Sequence, residues 1–386
     1  MSILKKIILF LFMIIPCCLV ILISPLIKIR FGYLRSYIIG HLCPDVAIYL
    51  NENKSKYDFF YLRGEICNNF LIKKIRKLLK INSVAKYFYL FFYYFNFNRS
   101  AHLIYHKTGS RDYNNIIKNS NIFAYSDLEN LKGKNFLKKI FKYPNKKIIC
   151  LLIRDEEYKN KFYNDKYNYD YHSYRNSDAN SYIPVIKNLV EKGYNVIRMG
   201  NIAKSKINLD HECFYDYPFS ELKDDFFDIW LMSNCSFVIS NQSGLDEVSK
   251  IFQIPRLYIN KAPISDIIST GTCMTAPKKL FDIKHNHFLN LSDCLKYSFF
   301  KSSYYDENNL KFVDLSAEEM IEITNEFIFK IQNNKLCSQS KNQKLFWENI
   351  KKHQDSHLYH KVFDNCANIS DYFLEKNKEF LNVNYL

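Results

Sequence analysis

In the second half of the chain, short apolar runs end again and again in residues able to do chemistry. The run 148–153 is followed by Arg154 and Asp155. The run 194–199 carries Arg198 and closes on Gly200, and the run 213–217 ends in Asp216 and Tyr217. The run 236–240 leads straight into Asn241, Gln242, Ser243 and Gly244, and a polar stretch ahead of 183 supplies Arg175, Asn176, Ser177 and Asp178. Guanidinium groups offer fork-shaped donors to phosphate oxygens, and a turn opening a helix, as at Ser243 and Gly244, offers bare amides to an anion. Carboxylates such as Asp155 and Asp178, or a histidine such as His41 in Ile-Ile-Gly-His-Leu, can take a proton from a hydroxyl. Together these groups fit a departing diphosphate and an attacking alcohol. Each also has a plainer reading. Arg175 and Asp178 can close their loop as a local ion pair, Arg154 and Arg198 can sit on a solvated rim, Ser243 with Asp246 can cap a helix, and His41 can bond to backbone in a turn.

The elements that position these residues follow from periodicity. Strands are expected at 148–153, 194–199, 213–217, 236–240 and 256–260, and helices at 183–191, 220–232, 244–252 and 317–331. Ser181 is expected to cap the helix that carries Pro184 in its first turn. Wholly apolar strands alternating with helices specify a parallel α/β sheet covered on both faces. Ligands of such sheets bind beyond the carboxyl ends of the strands, where the residues above fall. The loop 171–181 would then bring Arg175, Ser177 and Asp178 close to Arg154, Arg198 and Ser243.

Upstream, strands are expected at 36–39 and 59–62, with a turn at Gly40 and His41, a helix over 69–79 and a buried aromatic element over 84–97. Residues 137–147 read as a linker. The stretch from Ile7 to Ile27 carries no charge and has lysines on both sides, enough to cross a bilayer. A membrane anchor is the expectation, with a signal peptide or a helix lying in the surface as rivals. The 386 residues carry a formal charge of +15, with 17% aromatics from 32 Phe and 30 Tyr. Lysine is spread throughout and no Arg-rich stripe interleaves with aromatics, which argues against a nucleic-acid partner; anionic lipid or a phosphate-bearing substrate suits the charge. The 11 cysteines show no CxxC pair and read as buried free thiols of a reducing compartment.

The ordered segments SYRNSDANSYIPVIKNLVEKGYNVIRMG and FYDYPFSELKDDFFDIWLMSNCSFVISNQSGLDEVSKIFQIPRLYINKAP, with RFGYLRSYIIGHL and YDFFYLRG before them and APKKL after, resemble a bacterial family of glycosyltransferases. That family is associated with surface polysaccharide or protein glycosylation, and the likeness spans about residues 30–330. The resemblance implies two Rossmann-like α/β domains facing across a cleft, a GT-B-like fold, behind an N-terminal hydrophobic membrane helix. The divisions are a membrane anchor at 1–29, an acceptor-side domain at 30–140, a nucleotide-sugar domain at 141–335 and a helical tail at 336–386. It places Arg154, Arg175, Ser177, Arg198, Ser243 and Gly244 on the donor diphosphate. Gly200, Asp216 and Tyr217 fall on the nucleoside, and His41, Asp155 and Asp178 are candidates for the base. Asn241 and Gln242 depart from the family's pattern ahead of the serine.

The expected activity is sugar transfer from a nucleotide-sugar to a glycan, lipid-linked or protein acceptor at a bacterial inner membrane, with the catalytic portion on the cytoplasmic side. No permanent cofactor is expected and no DxD element calls for a divalent metal. A non-catalytic phospho-glycan scaffold shares the same site. A nucleotide-sugar-modifying enzyme would want a G-x-G-x-x-G turn after the first strand, and RDEEYKN has no glycine.

Overall fold

The computed structural model describes residues 3–51, 55–95, 99–105, 123–157, 161, 170–297, 301–352 and 366–381. The chain divides into two compact units, Met1–Ala124 and Tyr125–Leu386.

The N-terminal unit opens with helix α1 (Ile3–Ile23). Strands β1 (Ile29–Leu34), β2 (Tyr57–Leu62) and β3 (Lys80–Ile81) form a parallel sheet in the order β1-β2-β3. Helix α2 (Ile39–Asn51) follows β1, α3 (Asn69–Ile75) precedes β3, and α4 (Ala85–Phe95) and α5 (Arg99–His102) complete the described unit. Alternation sets the two faces of the sheet. Ile29, Phe31 and Tyr33 of β1, with Phe59 and Tyr61 of β2, join one apolar cluster with α4 and α1. On the intervening positions Arg30 pairs with Asp58, which also accepts from Tyr49 Oη at 2.6 Å.

Two expectations change here. The first strand lies at Ile29–Leu34, not at 36–39, because Ser36 and Tyr37 turn the chain. Gly40 and His41 are not a turn but the first turn of α2. The described residues of the unit hold three parallel strands.

The C-terminal unit begins with α6 (Asp127–Ile140), started by a capping box between Ser126 and Glu129. This helix takes the first part of the expected linker at 137–147. Seven strands follow in one parallel sheet: β4 (Ile148–Leu152), β5 (Asn195–Arg198), β6 (Phe214–Asp216), β7 (Phe237–Ser240), β8 (Arg256–Lys261), β9 (Cys273–Pro277) and β13 (Ala367–Ile369). Their spatial order is β13-β9-β8-β7-β4-β5-β6. Strands β4 to β9 thus take the doubly wound order 3-2-1-4-5-6, whose direction reverses between β4 and β7. A small antiparallel sheet, β11-β10-β12, joins β10 (Lys279–Asp282), β11 (His287–Phe288) and β12 (Leu310–Val313).

All five residues of β4 are buried, as a central strand covered on both faces requires. On one face, Ile149 and Leu151 pack with Val185, Ile186 and Leu189 of α7 (Ile183–Glu191). On the other, Cys150 donates to the Leu231 carbonyl of α8 (Asp225–Asn234). Asp178 caps a short 3-10 turn, Ala179–Tyr182, that leads into α7. Ser181 therefore caps nothing; its hydroxyl donates to the Asp178 carbonyl. One disulfide, Cys337–Cys366, corrects the expectation of free thiols throughout and ties the chain beside edge strand β13; nine cysteines stay unpaired.

Helices α6 and α8 approach closely because Gly133 faces Trp230. A Cβ built on Gly133 falls 2.1 Å from Trp230 Cε2, and the indole nitrogen donates to Asn130 at 3.2 Å. We expect Gly133→Ala to force these helices apart and to cost about 1–3 kcal/mol, measured as a lowered denaturant midpoint with an unchanged slope.

Candidate functional site

The reversal of strand order leaves the carboxyl ends of β4 and β7 side by side, and the chain fills that position with polar groups. Asn241 follows β7 and is almost fully buried. Its Oδ1 accepts from the Arg154 amide at 2.8 Å, and its Nδ2 donates to the Arg175 carbonyl at 3.3 Å. The Ser177 amide donates to the Arg154 carbonyl at 3.2 Å. The loop that carries Arg175, Asn176 and Ser177 is thereby fixed over the end of β4. Its outer side is held as well, with Ser173 Oγ 2.8 Å from Ser302 Oγ and Tyr174 stacked on Phe312 at 5.2 Å.

Arg175 reaches Gln242. Its Nη2 donates to the Gln242 carbonyl at 3.1 Å and to Oε1 at 3.0 Å, while its Nε is buried with no hydrogen-bond partner among the described residues. Gln242 holds a φ of 71°, a left-handed backbone that costs a residue with a Cβ about 1–2 kcal/mol; such strain tends to collect at functional sites. A third cation comes from Lys278, just past β9. Its Nζ donates to the Asn176 carbonyl at 2.6 Å and pairs with Asp314 Oδ1 at 2.6 Å. Burial lowers the Lys278 ammonium from its ordinary pKa and the Arg154 charge adds to that, against the opposing pull of Asp314. Arg154, Arg175 and Lys278 therefore share one edge of the sheet. Lys278 and Asp314 were not singled out from the sequence; Lys278 stood only within the segment APKKL that follows an apolar run.

Other expected site residues have different partners. Arg198 is 1% exposed and faces inward: Nη1 donates to the Ser205 carbonyl at 2.7 Å and lies 3.5 Å from Asp216, and Nη2 lies 3.7 Å from Asp155. Asp155 also accepts from the Lys204 and Glu157 amides, and Asp216 from the Ile207 amide. This triad clamps the loop after β5, with Asp155 and Asp216 as the counter-charges of Arg198. Burial raises Asp216 from its ordinary range, partly offset by the Ile207 amide and Arg198. Tyr217 is wholly buried with its Oη on the Asp224 backbone. Gly200 has a φ of 145°, so glycine there answers a backbone need. Asp178 is exposed and spends its carboxylate on the Asn180 amide.

The turn at Ser243 and Gly244 departs furthest from expectation. The helix after it, α9 (Asp246–Ile251), is six residues long. The Ser243 amide donates to Asp246 Oδ2 at 2.9 Å, Ser240 Oγ donates to the same carboxylate, and the Gln242 amide donates to Ser240 Oγ. A buried carboxylate thus holds the amide expected to hold a phosphate, and Gly244 is an exposed turn residue. In the N-terminal unit, Asp45 is buried and paired with Arg35, and His41 lies half-buried on α2.

No family model matches this chain, and no curated protein does. Among solved structures, the chain is similar to the ADP-heptose LPS heptosyltransferase II of E. coli, at 14% identity and a TM-score of 0.36, over 61% of this chain and 86% of that one. It is also similar to a glycosyltransferase family 9 protein from Veillonella parvula DSM 2008, at 10% identity and a TM-score of 0.43, over 78% of this chain and 98% of the other. Both superpositions are loose, and function has to be read from the residues of the site.

Two outcomes separate structural from site residues. Arg198→Ala leaves the buried Asp216 and the partly exposed Asp155 without their cation and is expected to cost roughly 3–5 kcal/mol, whereas Gln242→Gly relieves the left-handed backbone but gives up the bond from Arg175 to Oε1, two opposed effects of about 1 kcal/mol each, and should leave stability nearly unchanged; chemical denaturation reads both. A third outcome concerns pH. Burial pushes Asp246 up to about 7 from an ordinary 3.8. The folded chain then keeps a proton that the unfolded chain has released, so the contribution of this group to stability is greatest below about pH 4 and falls as the pH rises to about 7. Asp228, also raised to about 7 by burial, acts in the same direction. Asp246→Asn should reduce the slope without abolishing it.

Proposed function

We propose that this protein is a membrane-associated glycosyltransferase that takes its sugar from a nucleotide-sugar donor. The observation that carries the reading is the meeting of Arg154, Arg175 and Lys278 at the point where a 3-2-1-4-5-6 parallel sheet reverses its order. Such a crevice is where open α/β sheets bind ligands, and cations there suit a diphosphate. In this reading, an acceptor hydroxyl forms a bond to the anomeric carbon as the bond from that carbon to the diphosphate oxygen breaks. The diphosphate leaves with the electron pair, and the cations neutralise its growing charge. The hydroxyl proton passes to a base. With Asp155 and Asp178 engaged in local structure, His41 of the N-terminal unit is the candidate for that role.

No resident cofactor is called for, and the charge that a metal would supply is assigned to the three cations. The acceptor class, a glycan, lipid-linked sugar or protein, follows from the family resemblance. Helix α1, the one described helix long and apolar enough to cross a membrane, supports the membrane part. Nucleotide-sugar donors favour a catalytic portion on the cytoplasmic side of a bacterial inner membrane.

The test is a panel of nucleotide-sugars and nucleoside diphosphates against the purified full chain. One nucleotide is expected to bind, with slow hydrolysis of its sugar when no acceptor is present. Arg175→Ala and Lys278→Met should each weaken that nucleotide roughly 10- to 100-fold, the loss of about 1.5–3 kcal/mol of charge-assisted hydrogen bonding, with circular dichroism retained. Unchanged affinity in both variants would remove the site from consideration. Binding without turnover of any donor would make the protein a phospho-glycan scaffold instead.

A further inference from the structure

Helix α1 has 21 residues, about 30 Å at 1.5 Å per residue, so its length alone permits a crossing. Its packing is that of a helix lying along a domain. Phe10, Ile14, Cys17 and Ile21 form one stripe against the aromatic cluster of the N-terminal unit. Phe10 lies 5.9 Å from Phe91 and 5.0 Å from Phe95 of α4. Helix α4 in turn rests on the sheet, with Phe88 stacked on Phe31 at 4.6 Å and Tyr89 edge-on to Tyr33 at 5.4 Å. The middle of α1, α4 and strands β1 and β2 therefore stand side by side as three layers at one level.

That layering decides how α1 can meet lipid. The far side of the same sheet carries the Arg30–Asp58 pair, with Ser55 and Tyr49 also bonded to Asp58. If α1 ran along the bilayer normal, this ion pair would lie at the depth of the hydrocarbon, where charges are expensive. A helix lying in the surface avoids that cost. The outer stripe of α1 and the turn after it, Leu4, Leu11, Ile15, Leu19, Leu22 and Leu26, is bare and apolar, each of these side chains more than half exposed.

The flanking groups belong at headgroup level. Lys5 and Lys28 are exposed at the two ends, Lys6 Nζ lies 4.8 Å over the Tyr94 ring, and Tyr87 and Tyr93 are exposed on α4. We propose that α1 lies in the plane of a single leaflet of an anionic membrane, with its outer stripe in the acyl boundary and α4 beside it, and that the chain does not cross. This rests on the membrane part of the function proposed above and not on the transferase part.

The test uses the full chain with one cleavable tag ahead of Met1 and another after Leu386, in right-side-out and inverted membrane vesicles. Both tags are expected to be cut in the same vesicle orientation, and the chain to stay with the membrane through a high-salt wash. Purified chain should float with phosphatidylethanolamine vesicles containing phosphatidylglycerol at least several-fold better than with phosphatidylcholine alone. The triple variant Leu11→Glu, Ile15→Glu, Leu22→Glu should move to the soluble fraction by tenfold or more. Nucleotide binding retained in that variant would separate this result from a failure of the transferase reading. Tags cut from opposite sides would show a crossing helix and overturn the proposal. So would wild-type chain found in the soluble fraction without detergent.

Discussion

One buried amide holds the carboxyl edge of the large sheet together. Asn241 has no water to turn to, so both halves of its side chain must find protein partners. It takes the Arg154 amide from β4 and gives to the Arg175 carbonyl of the crossover loop. Three segments distant in sequence are thus fixed by a single residue at the place where the strand order reverses. Without that link the backbone of the loop at Arg175 would lose its bond to the end of β7, and the loop would be held by Ser173, Tyr174 and the Ser177 amide and by the side chains of Arg175, on Gln242, and Lys278, on Asn176.

Residues of one type have opposite fates within this edge, and desolvation decides between them. Arg198 is buried between two carboxylates and a carbonyl, so its charge is already compensated by the fold. Among the described residues, the Arg175 guanidinium is answered by two neutral acceptors on Gln242, its carbonyl and Oε1. Lys278 stands between these cases, paired with an Asp314 that is itself about a third exposed. The acids show the same division: Asp246, Asp155 and Asp178 hold backbone amides, which is the work of caps and turns, not of proton transfer.

The large sheet was legible because its signals are local. The apolar runs at 148–153 and 236–240 and the helix at 183–191 appear within a residue or two of expectation, since a strand buried on both faces admits almost nothing else. The placing of Arg175 and Ser177 beside Arg154 was legible for a topological reason: a loop following a parallel strand must start at that strand's carboxyl end. What could not be read was pairing at a distance. Arg154 and Arg198 look alike in sequence, and the partners that distinguish them come from β6, β7 and the loop after β5. Ser243 looked like an open anion turn because Asp246 read as a second capping residue, when it is the anion. In the N-terminal unit, an aromatic composition with weak alternation blurred the boundary between the turn at Ser36 and the helix that begins at Ile39.

The turn at 24–28 connects α1 directly to β1, leaving no slack between the apolar helix and the first sheet. On the seating of α1 proposed above, the N-terminal unit is held at the lipid surface. Its encounters with any partner confined to that surface become a search by lateral diffusion in two dimensions. The effective concentration is then set by area, not volume, and a weak intrinsic affinity for such a partner suffices. Affinity measured for a water-soluble fragment of that partner would then understate how often the two meet.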